Sequence, residues 1–235
     1  MNVFIGYDSK EPAAYHVAAH SILRRASKPV SITPIALDNL KGVYTRERGA
    51  KESTEFSISR FLVPYLSNYT GYSLFMDSDM LVQADICELE WEIYKDFANI
   101  HQRDRWPAEW AVKVCKHDYV PRSAVKFLGN EQTAYPRKNW SSLMLFNNTR
   151  CRALTPDYVN KATGLELHRF QWLKDAEIES LPLEWNYLVG EEKQSTNPPK
   201  IIHYTEGGPW FDDCKNVPFA DLWQSERQHM LGGRP

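Results

Sequence analysis

The chain has 235 residues, of which 43% are hydrophobic and 13% aromatic, so it can bury a full core and is not intrinsically disordered. Its formal net charge of −2 and its pI near 6.4 argue against a nucleic-acid-binding protein, which normally has a concentrated basic face. The four cysteines lie far apart without a Cys-x-x-Cys pair, which argues against a zinc site and against a disulfide framework.

The N-terminal residues carry no pattern typical of export or membrane insertion. Met1 to Gly6 show no basic segment followed by a long apolar core. No apolar run in the sequence approaches the ~20 residues needed to span a bilayer. We therefore expect a cytoplasmic protein without a transmembrane segment.

Residues 1–37 predict a strand, a helix and a second strand. Val3 to Gly6 is a short apolar run. Residues 13–26, which follow Pro12, have apolar side chains at helical spacing. Residues 30–37 again have a strand pattern. This order predicts a βαβ unit in a parallel sheet. Asp8 then falls at the carboxyl end of the first strand, the edge at which open α/β sheets bind ligands.

A polar segment and a helical pattern follow. Residues 38–53 are charged and aperiodic, and we expect an exposed loop there that folds over a bound ligand. Residues 55–66 predict a helix with a break or kink at Pro64. Arg60 lies on this helix, immediately before the next strand. By its sequence position alone, Arg60 is either a surface side chain or a ligand contact.

The next strand ends in two carboxylates. Tyr72 to Met76 predicts a short buried strand, and Asp77 and Asp79 follow it. Side chains two residues apart on an extended backbone point the same way, so these acids can converge on one cation. Oxygen ligands of this kind suit Mg²⁺ or Mn²⁺. A turn with two solvated acids remains the alternative, since Asp-x-Asp is common in turns.

The rest of the chain alternates strands and helices. Apolar runs predict strands, and capping residues or proline at a first position predict helix starts. Strands are expected at Met80 to Val82, 110–116, 142–147, 178–181 and 200–204, and helices from Asp85, from Thr155, at 164–174 and at 219–230. This order predicts one α/β domain with a parallel sheet and flanking helices.

Two segments of the sequence resemble the GT-A glycosyltransferases of family 8, the retaining group of glycogenin and bacterial lipopolysaccharide galactosyltransferases. Phe75 to Val82 is similar to that family's Leu-Asp-x-Asp-x-x-Val block. Ile201 to Trp210 is similar to its His-x-x-Gly-x-x-Lys-Pro-Trp block. The resemblance covers roughly residues 2–211. It implies a single domain with the Rossmann-like GT-A fold, in which helices flank a mixed, mainly parallel sheet. The nucleotide-binding half would lie at about 1–83, the sugar and acceptor half at about 84–211, and a terminal helix and tail at 212–235.

The resemblance also implies a metal site and an activity. Asp77, Asp79 and His203 would ligate Mn²⁺, or Mg²⁺, which binds the diphosphate of a nucleotide-sugar. An imidazole ligand tilts the preference toward Mn²⁺. Without the acids, His203 would be read as a packed strand histidine. The implied reaction moves a hexose from a nucleotide-diphosphate sugar, which we expect to be a UDP-sugar, to the hydroxyl of an unknown acceptor with retention of configuration.

The same resemblance assigns the remaining site residues. Gln171 would lie on the face of the sugar opposite the leaving group, and Arg60 would lie near the phosphates and the sugar. A guanidinium fork suits either group. The residues assigned to the donor are Tyr7, Asp8, Arg60, Ser78, Trp140, Ser141, Gly207, Gly208 and Trp210.

Three departures from the family pattern bear on activity. Asn139-Trp140-Ser141-Ser142 stands where the family has Phe-Asn-Ala-Gly, Phe170 replaces the acid before Gln171, and Gly208 replaces a lysine that contacts the diphosphate. Backbone N–H groups at Gly207 and Gly208 could partly substitute for that lysine.

Three other classes of function remain open. A Mg²⁺-dependent phosphohydrolase of the haloacid dehalogenase type and a nucleotidyltransferase both use Asp-x-Asp after a strand. However, the phosphohydrolases usually have Gly-Thr after the second acid, whereas this chain has Met80-Leu81. The third class is a catalytically weak nucleotide-binding module that keeps the GT-A fold.

Overall fold

A computed structural model describes residues 1–49, 52–98, 109–118, 136–191 and 195–233. In chain order the elements are β1 (Asn2–Gly6), α1 (Pro12–Arg25), β2 (Ser31–Ile35), α2 (Val63–Leu66), β3 (Tyr72–Met76), β4 (Met80–Val82), α3 (Leu89–Ala98), β5 (Val112–Val114), β6 (Leu143–Asn147), α4 (Pro156–Lys161), α5 (Gly164–His168), β7 (Ile178–Ser180), β8 (Tyr187–Leu188), β9 (Ile201–His203) and α6 (Ala220–Met230).

The central sheet is mixed and mainly parallel, as predicted. Its six strands follow the order β2-β1-β3-β6-β5-β7. The β1–β2, β1–β3 and β5–β7 pairs are parallel. β6 pairs antiparallel with both β3 and β5, so it alone among these six strands runs in the opposite direction. Parallel neighbours need a crossover connection, which α1 supplies between β1 and β2.

A second sheet of three strands in the order β4-β9-β8 lies beyond the carboxyl end of β3. β4 pairs antiparallel with β9, so that Met80 is opposite His203. β8 pairs parallel with β9, and this two-residue strand was not predicted from the sequence. The pairing of β4 with β9 joins chain segments about 120 residues apart and places His203 beside the loop that carries the acids.

Apolar side chains pack on both faces of the central sheet. Leu74 and Met76 of β3 face one cluster, which includes Ile22 of α1. Phe75 faces the opposite cluster with Phe61. Successive strand residues point to opposite faces, so an uninterrupted apolar run is what a strand covered on both sides requires. The burial of β3 confirms the sequence interpretation of Tyr72 to Met76 as a buried strand.

Two helix predictions were too long. Residues 55–66 form turns and a 3₁₀ helix at Ser59–Leu62 before α2 begins, and Pro64 lies in the first turn of α2 instead of breaking a longer helix. A proline is tolerated there because the first helical N–H groups have no intrahelical partner.

The second overlong helix was predicted at residues 164–174. It ends at His168, because Phe170 adopts a left-handed φ of 56° and turns its ring into the core. Among the described residues, none of the helices has the length and apolar character to cross a membrane.

Candidate metal and nucleotide site

Asp77, Asp79 and His203 converge where β3 ends and the small sheet begins. Each offers one ligand atom, and these atoms all lie within 4.8 Å of one another. The Asp77 N–H donates to the Ser142 carbonyl oxygen over 2.9 Å, and the Tyr204 N–H donates to the Asp79 carbonyl oxygen over 2.9 Å. Strand pairing therefore fixes the backbone on both sides of the three ligands.

The imidazole of His203 is buried and oriented by a neighbouring amide. Its Nδ1 lies 2.8 Å from Oδ1 of Asn186, whose own Nδ2 donates to Ser142 Oγ over 2.9 Å. Because the amide oxygen only accepts, the Nδ1–H donates to it, and this bond turns Nε2 toward the acids. Nε2 lies 3.3 Å from Oδ1 of Asp79. A hydrogen-bonded imidazole of this kind is the usual arrangement for a metal-ligating histidine.

The measured separation fits a shared divalent cation. Ligands roughly 2.1 Å from one ion stand about 3 Å apart when they are adjacent in its coordination shell. The 3.3 Å between His203 and Asp79 matches that requirement. Two carboxylates with one imidazole form a donor set that Mn²⁺ accepts.

Arg60 is buried, so the surface interpretation is wrong. Its Nη1 lies 2.6 Å from Oδ1 of Asp77 and donates to the Ser141 carbonyl oxygen over 2.9 Å. The guanidinium carbon lies 5.2 Å from the ring centroid of Phe56 and 5.0 Å from that of Phe75. The two rings and the carbonyl oxygen of Ser141 hold the guanidinium in place, so Arg60 orients Asp77.

Asp8 is buried beside the same edge of the sheet, as its position after the first strand predicts. Only 2% of its surface is exposed. One carboxylate oxygen accepts from the Lys10 N–H over 2.9 Å, and the other accepts from the Glu55 N–H over 3.1 Å. These bonds tie the loop after β1 to the segment that leads to Arg60.

Glu11 is a site residue that sequence reasoning missed. It is buried, and burial together with the charge of nearby Asp79 raises the pKa of its carboxyl to about 8. Its Oε2 accepts from Nε1 of Trp210 over 2.9 Å, which lowers that pKa in part. An acid three residues after Asp8 in the loop that follows β1 was the available signal. Glu11 lies close to Asp8, Asp77 and Asp79, and the charges of these acids together with burial keep it mostly protonated near pH 7.

The other predicted donor contacts lie around this edge with their own partners. Tyr7 stacks edge-on against Tyr15 with ring centroids 5.4 Å apart. Ser78 is 4% exposed. Ser141 Oγ lies 2.7 Å from Nδ1 of His168. Burial and the charge of nearby Arg60 lower the pKa of His168 to about 3, so this ring is neutral.

Trp140 and Trp210 both use their indole N–H groups within the protein. Trp140 Nε1 donates to the His117 carbonyl oxygen over 3.0 Å, and its ring packs against the core beside Phe170. Trp210 packs against Trp223 with centroids 5.4 Å apart. These contacts hold the loops at 139–142 and 204–210 against the sheet.

The structure explains why glycine occupies position 208. A Cβ atom there would lie 1.9 Å from the ring of Trp210, so no larger side chain fits without displacing that ring. Gly207 has a φ of 120°, and its N–H donates to the Tyr204 carbonyl oxygen over 3.0 Å. The Gly207 amide, which we expected to contact a phosphate, therefore already has a partner, and Gly208 keeps that role in the hypothesis.

Gln171 lies just past the end of α5 with its side chain exposed. Its N–H donates to the Glu166 carbonyl oxygen over 3.0 Å. Phe170, in the place of the family acid, is completely buried among aromatic rings. Position 170 therefore contributes to the core and not to a polar sugar contact.

No family model matches the sequence, but structural comparison identifies the fold. WbbM, a bifunctional glycosyltransferase, superposes with a TM-score of 0.65 at 18% identity, over 99% of this chain and 51% of that one. This chain thus spans about half the length of WbbM. The galactosyltransferase LgtC, solved with donor and acceptor sugar analogues, gives 0.57 at 13% identity over 97% and 96% of the two chains. The protein therefore has the GT-A glycosyltransferase fold.

Sequence comparison supplies the family. Protein CDI of Arabidopsis thaliana is 49% identical over 234 residues, which cover 96% of this chain and 85% of that protein. The chain belongs to the same family as Protein CDI.

Proposed function

We propose that this protein is a metal-dependent retaining glycosyltransferase that moves a hexose from UDP to an acceptor hydroxyl, in the manner of family 8. The observation that carries the proposal is the convergence of Asp77, Asp79 and His203 at the carboxyl edge of β3. These residues come from two distant segments, and an ion-binding function explains why they meet. Asp8 also supports the proposal, because it follows β1 at the neighbouring strand end, where a nucleotide base would bind.

The donor set would hold Mn²⁺ through one oxygen of each acid and Nε2 of His203. When bound, the ion supplies Lewis-acid stabilisation of the departing diphosphate. The carboxylates of Asp8, Asp77 and Asp79 favour a cation at this edge, and a bound ion would favour loss of the proton from Glu11. Arg60 and Asn186 fix two of the ligands before the ion arrives.

The remaining residues bind and orient the sugar-nucleotide. Tyr7 and Asp8 would contact the base, the Gly208 N–H would donate to a phosphate oxygen, and Gln171 would face the anomeric carbon. The bond from that carbon to the diphosphate oxygen breaks while the acceptor oxygen bonds on the same face. The acceptor proton then passes to the departing phosphate oxygen. Positioning and electrostatics supply most of the acceleration.

Thermal unfolding with UDP and Mn²⁺ tests the site. A ligand at a hundred times its Kd stabilises the native state by about 2.7 kcal/mol, so UDP and Mn²⁺ together should raise the Tm more than either alone. Asp79→Asn should abolish this joint shift. Asp157→Asn, which changes an acid on α4 with a side chain that is 73% exposed, should leave it intact. An undiminished shift in the Asp79 variant would exclude the proposed metal site.

A nucleotide-binding module with weak or no turnover is the second candidate. The close approach of the Trp210 ring to Gly208 favours this second candidate. It leaves no room at position 208 for a lysine that would bind the diphosphate. Release of UDP from UDP-hexoses, with a product anomer matching the donor, separates the two candidates. Release of phosphate or pyrophosphate instead would indicate a phosphohydrolase or a nucleotidyltransferase.

A further inference from the structure

Two buried polar atoms near the proposed metal site have no hydrogen-bond partner within the described part of the chain. They are Nε2 of His117 and Nδ2 of Asn139. Leaving such a group unpaired costs about 1–3 kcal/mol, so two of them in one neighbourhood call for an explanation. Neither residue belongs to the set that the family resemblance assigns.

His117 follows β5 and is 8% exposed. Its N–H donates to the Cys115 carbonyl oxygen over 3.0 Å, and its carbonyl oxygen accepts from Trp140 Nε1. The main chain of Asn186 lies beside the ring and partly offsets the lowering of the ring's pKa. Nε2 has no partner among the described residues, so a neutral ring with its proton on Nδ1 leaves the lone pair of Nε2 available as an acceptor.

The ring of His117 is neutral throughout the physiological pH range. Burial and the nearby imidazole of His203 lower its pKa to about 4. Its Nε2 is therefore a hydrogen-bond acceptor and not a charged donor.

Asn139 also contacts Asn186. Its backbone has a left-handed φ of 64°. Its carbonyl oxygen accepts from Ser142 Oγ over 2.6 Å and from Nδ2 of Asn186 over 3.5 Å. Asn186 thus contacts His117, Asn139 and the predicted metal ligand His203.

An unpaired acceptor and an unpaired donor together match a sugar. Each hydroxyl both donates and accepts, so a hexose can give a proton to His117 Nε2 and receive one from Asn139 Nδ2. An apolar ligand would leave both atoms unsatisfied. Sites built to hydrogen-bond hydroxyls discriminate strongly against ligands that lack them.

We propose that His117 and Asn139 form a hydroxyl-binding subsite for a sugar, next to His203. The inference rests on the proposed function, since it names the residues that recognise the transferred hexose or the acceptor. Both sources present the same chemistry, and binding measurements distinguish them.

Two replacements of His117 distinguish the roles of its two ring nitrogens. Asn can reproduce the donor near Nδ1 and lacks an atom at Nε2, whereas the amide of Gln can reach the Nε2 position. Calorimetric Kd values with Mn²⁺ for UDP, UDP-glucose and UDP-galactose are compared with wild type. We expect His117→Asn to weaken one or both UDP-hexoses about tenfold without changing the affinity for UDP, and His117→Gln to retain much of the affinity.

Asn139→Gly removes the second polar atom and suits the positive φ, so it should weaken the same ligands. His229→Asn, on α6, is the matched control and should change none of the Kd values. A loss confined to UDP-hexoses assigns the subsite to the donor sugar. A loss confined to free mono- and disaccharides, titrated with UDP and Mn²⁺ present, assigns it to the acceptor.

Unchanged sugar affinities, or an equal loss for UDP itself, would overturn the subsite. If wild type binds no UDP, the proposed function fails separately. Saturation-transfer NMR of free hexoses with wild type and His117→Asn then still decides the subsite: a signal that the variant loses supports it, and no signal or an equal one overturns it.

Discussion

The strand-edge region around Asp77, Asp79 and His203 differs from the sugar-side region around His117 and Asn139. In the first, Arg60, Asn186 and backbone groups hold the functional side chains. In the second, two buried polar atoms have no partner among the residues that the structure describes. The difference separates two tasks. A metal site needs ligands that are oriented in advance, whereas a site that recognises hydroxyls must leave donors and acceptors for its ligand.

The largest expected effect comes from breaking the buried pair of the strand-edge region. Arg60→Met should lower the free energy of unfolding by about 3–5 kcal/mol, because Asp77 loses its cation inside a largely buried site. Urea denaturation of the metal-free protein measures this. Lys41→Met, at a pair with side chains 79% and 90% exposed, is the control and should change stability little. A cost of Arg60→Met below about 1 kcal/mol would contradict the structural role of the pair.

The sugar-side region makes a pH prediction of intermediate size. The pKa of His117 is about 4 in the folded protein and 6.5 as the reference value, so the unfolded state binds the additional proton between these values. Stability therefore falls as the pH drops below about 6.5. His117 should account for a loss of about 2 kcal/mol between pH 7 and pH 5. To isolate the contribution of His117, the free energy of unfolding is measured against pH for wild type and for His117→Gln. Identical slopes would show that the His117 ring is not buried in its neutral form.

Glu11 gives a smaller effect of opposite sign in the strand-edge region. Its pKa is about 8 when folded against 4.5 as the reference, so the folded state binds the proton more tightly. The stability of the metal-free protein should then fall by about 1.5 kcal/mol between pH 6.5 and pH 8, above the range in which His117 titrates.

Glu11→Gln should remove that fall, as measured by urea denaturation at several pH values. For wild type, Mn²⁺ affinity should rise with pH over the same interval, because the ion favours the deprotonated acid. Mn²⁺ binding without any pH dependence in wild type would place Glu11 outside the electrostatic reach of the ion.

Local sequence patterns determined the apolar strands and the residues at their ends. β3 and the acids after it follow from one short, mostly apolar run, and Asp8 follows from the βαβ order of residues 1–37. The start of α4 follows from Thr155, whose side chain accepts from the Tyr158 N–H. Capping, periodicity and turn chemistry depend on neighbours in the chain, so they can be read directly.

Tertiary structure decided which of those residues meet and which polar atoms remain unpaired. The burial of Arg60 and of Glu11, the end of α5 before Phe170, and the bridging role of Asn186 all depend on segments distant in sequence. Burial and electrostatics are set by every element that packs around a side chain. The sequence therefore indicated the acids and the histidine, and only the packing of β4 against β9 brought them together.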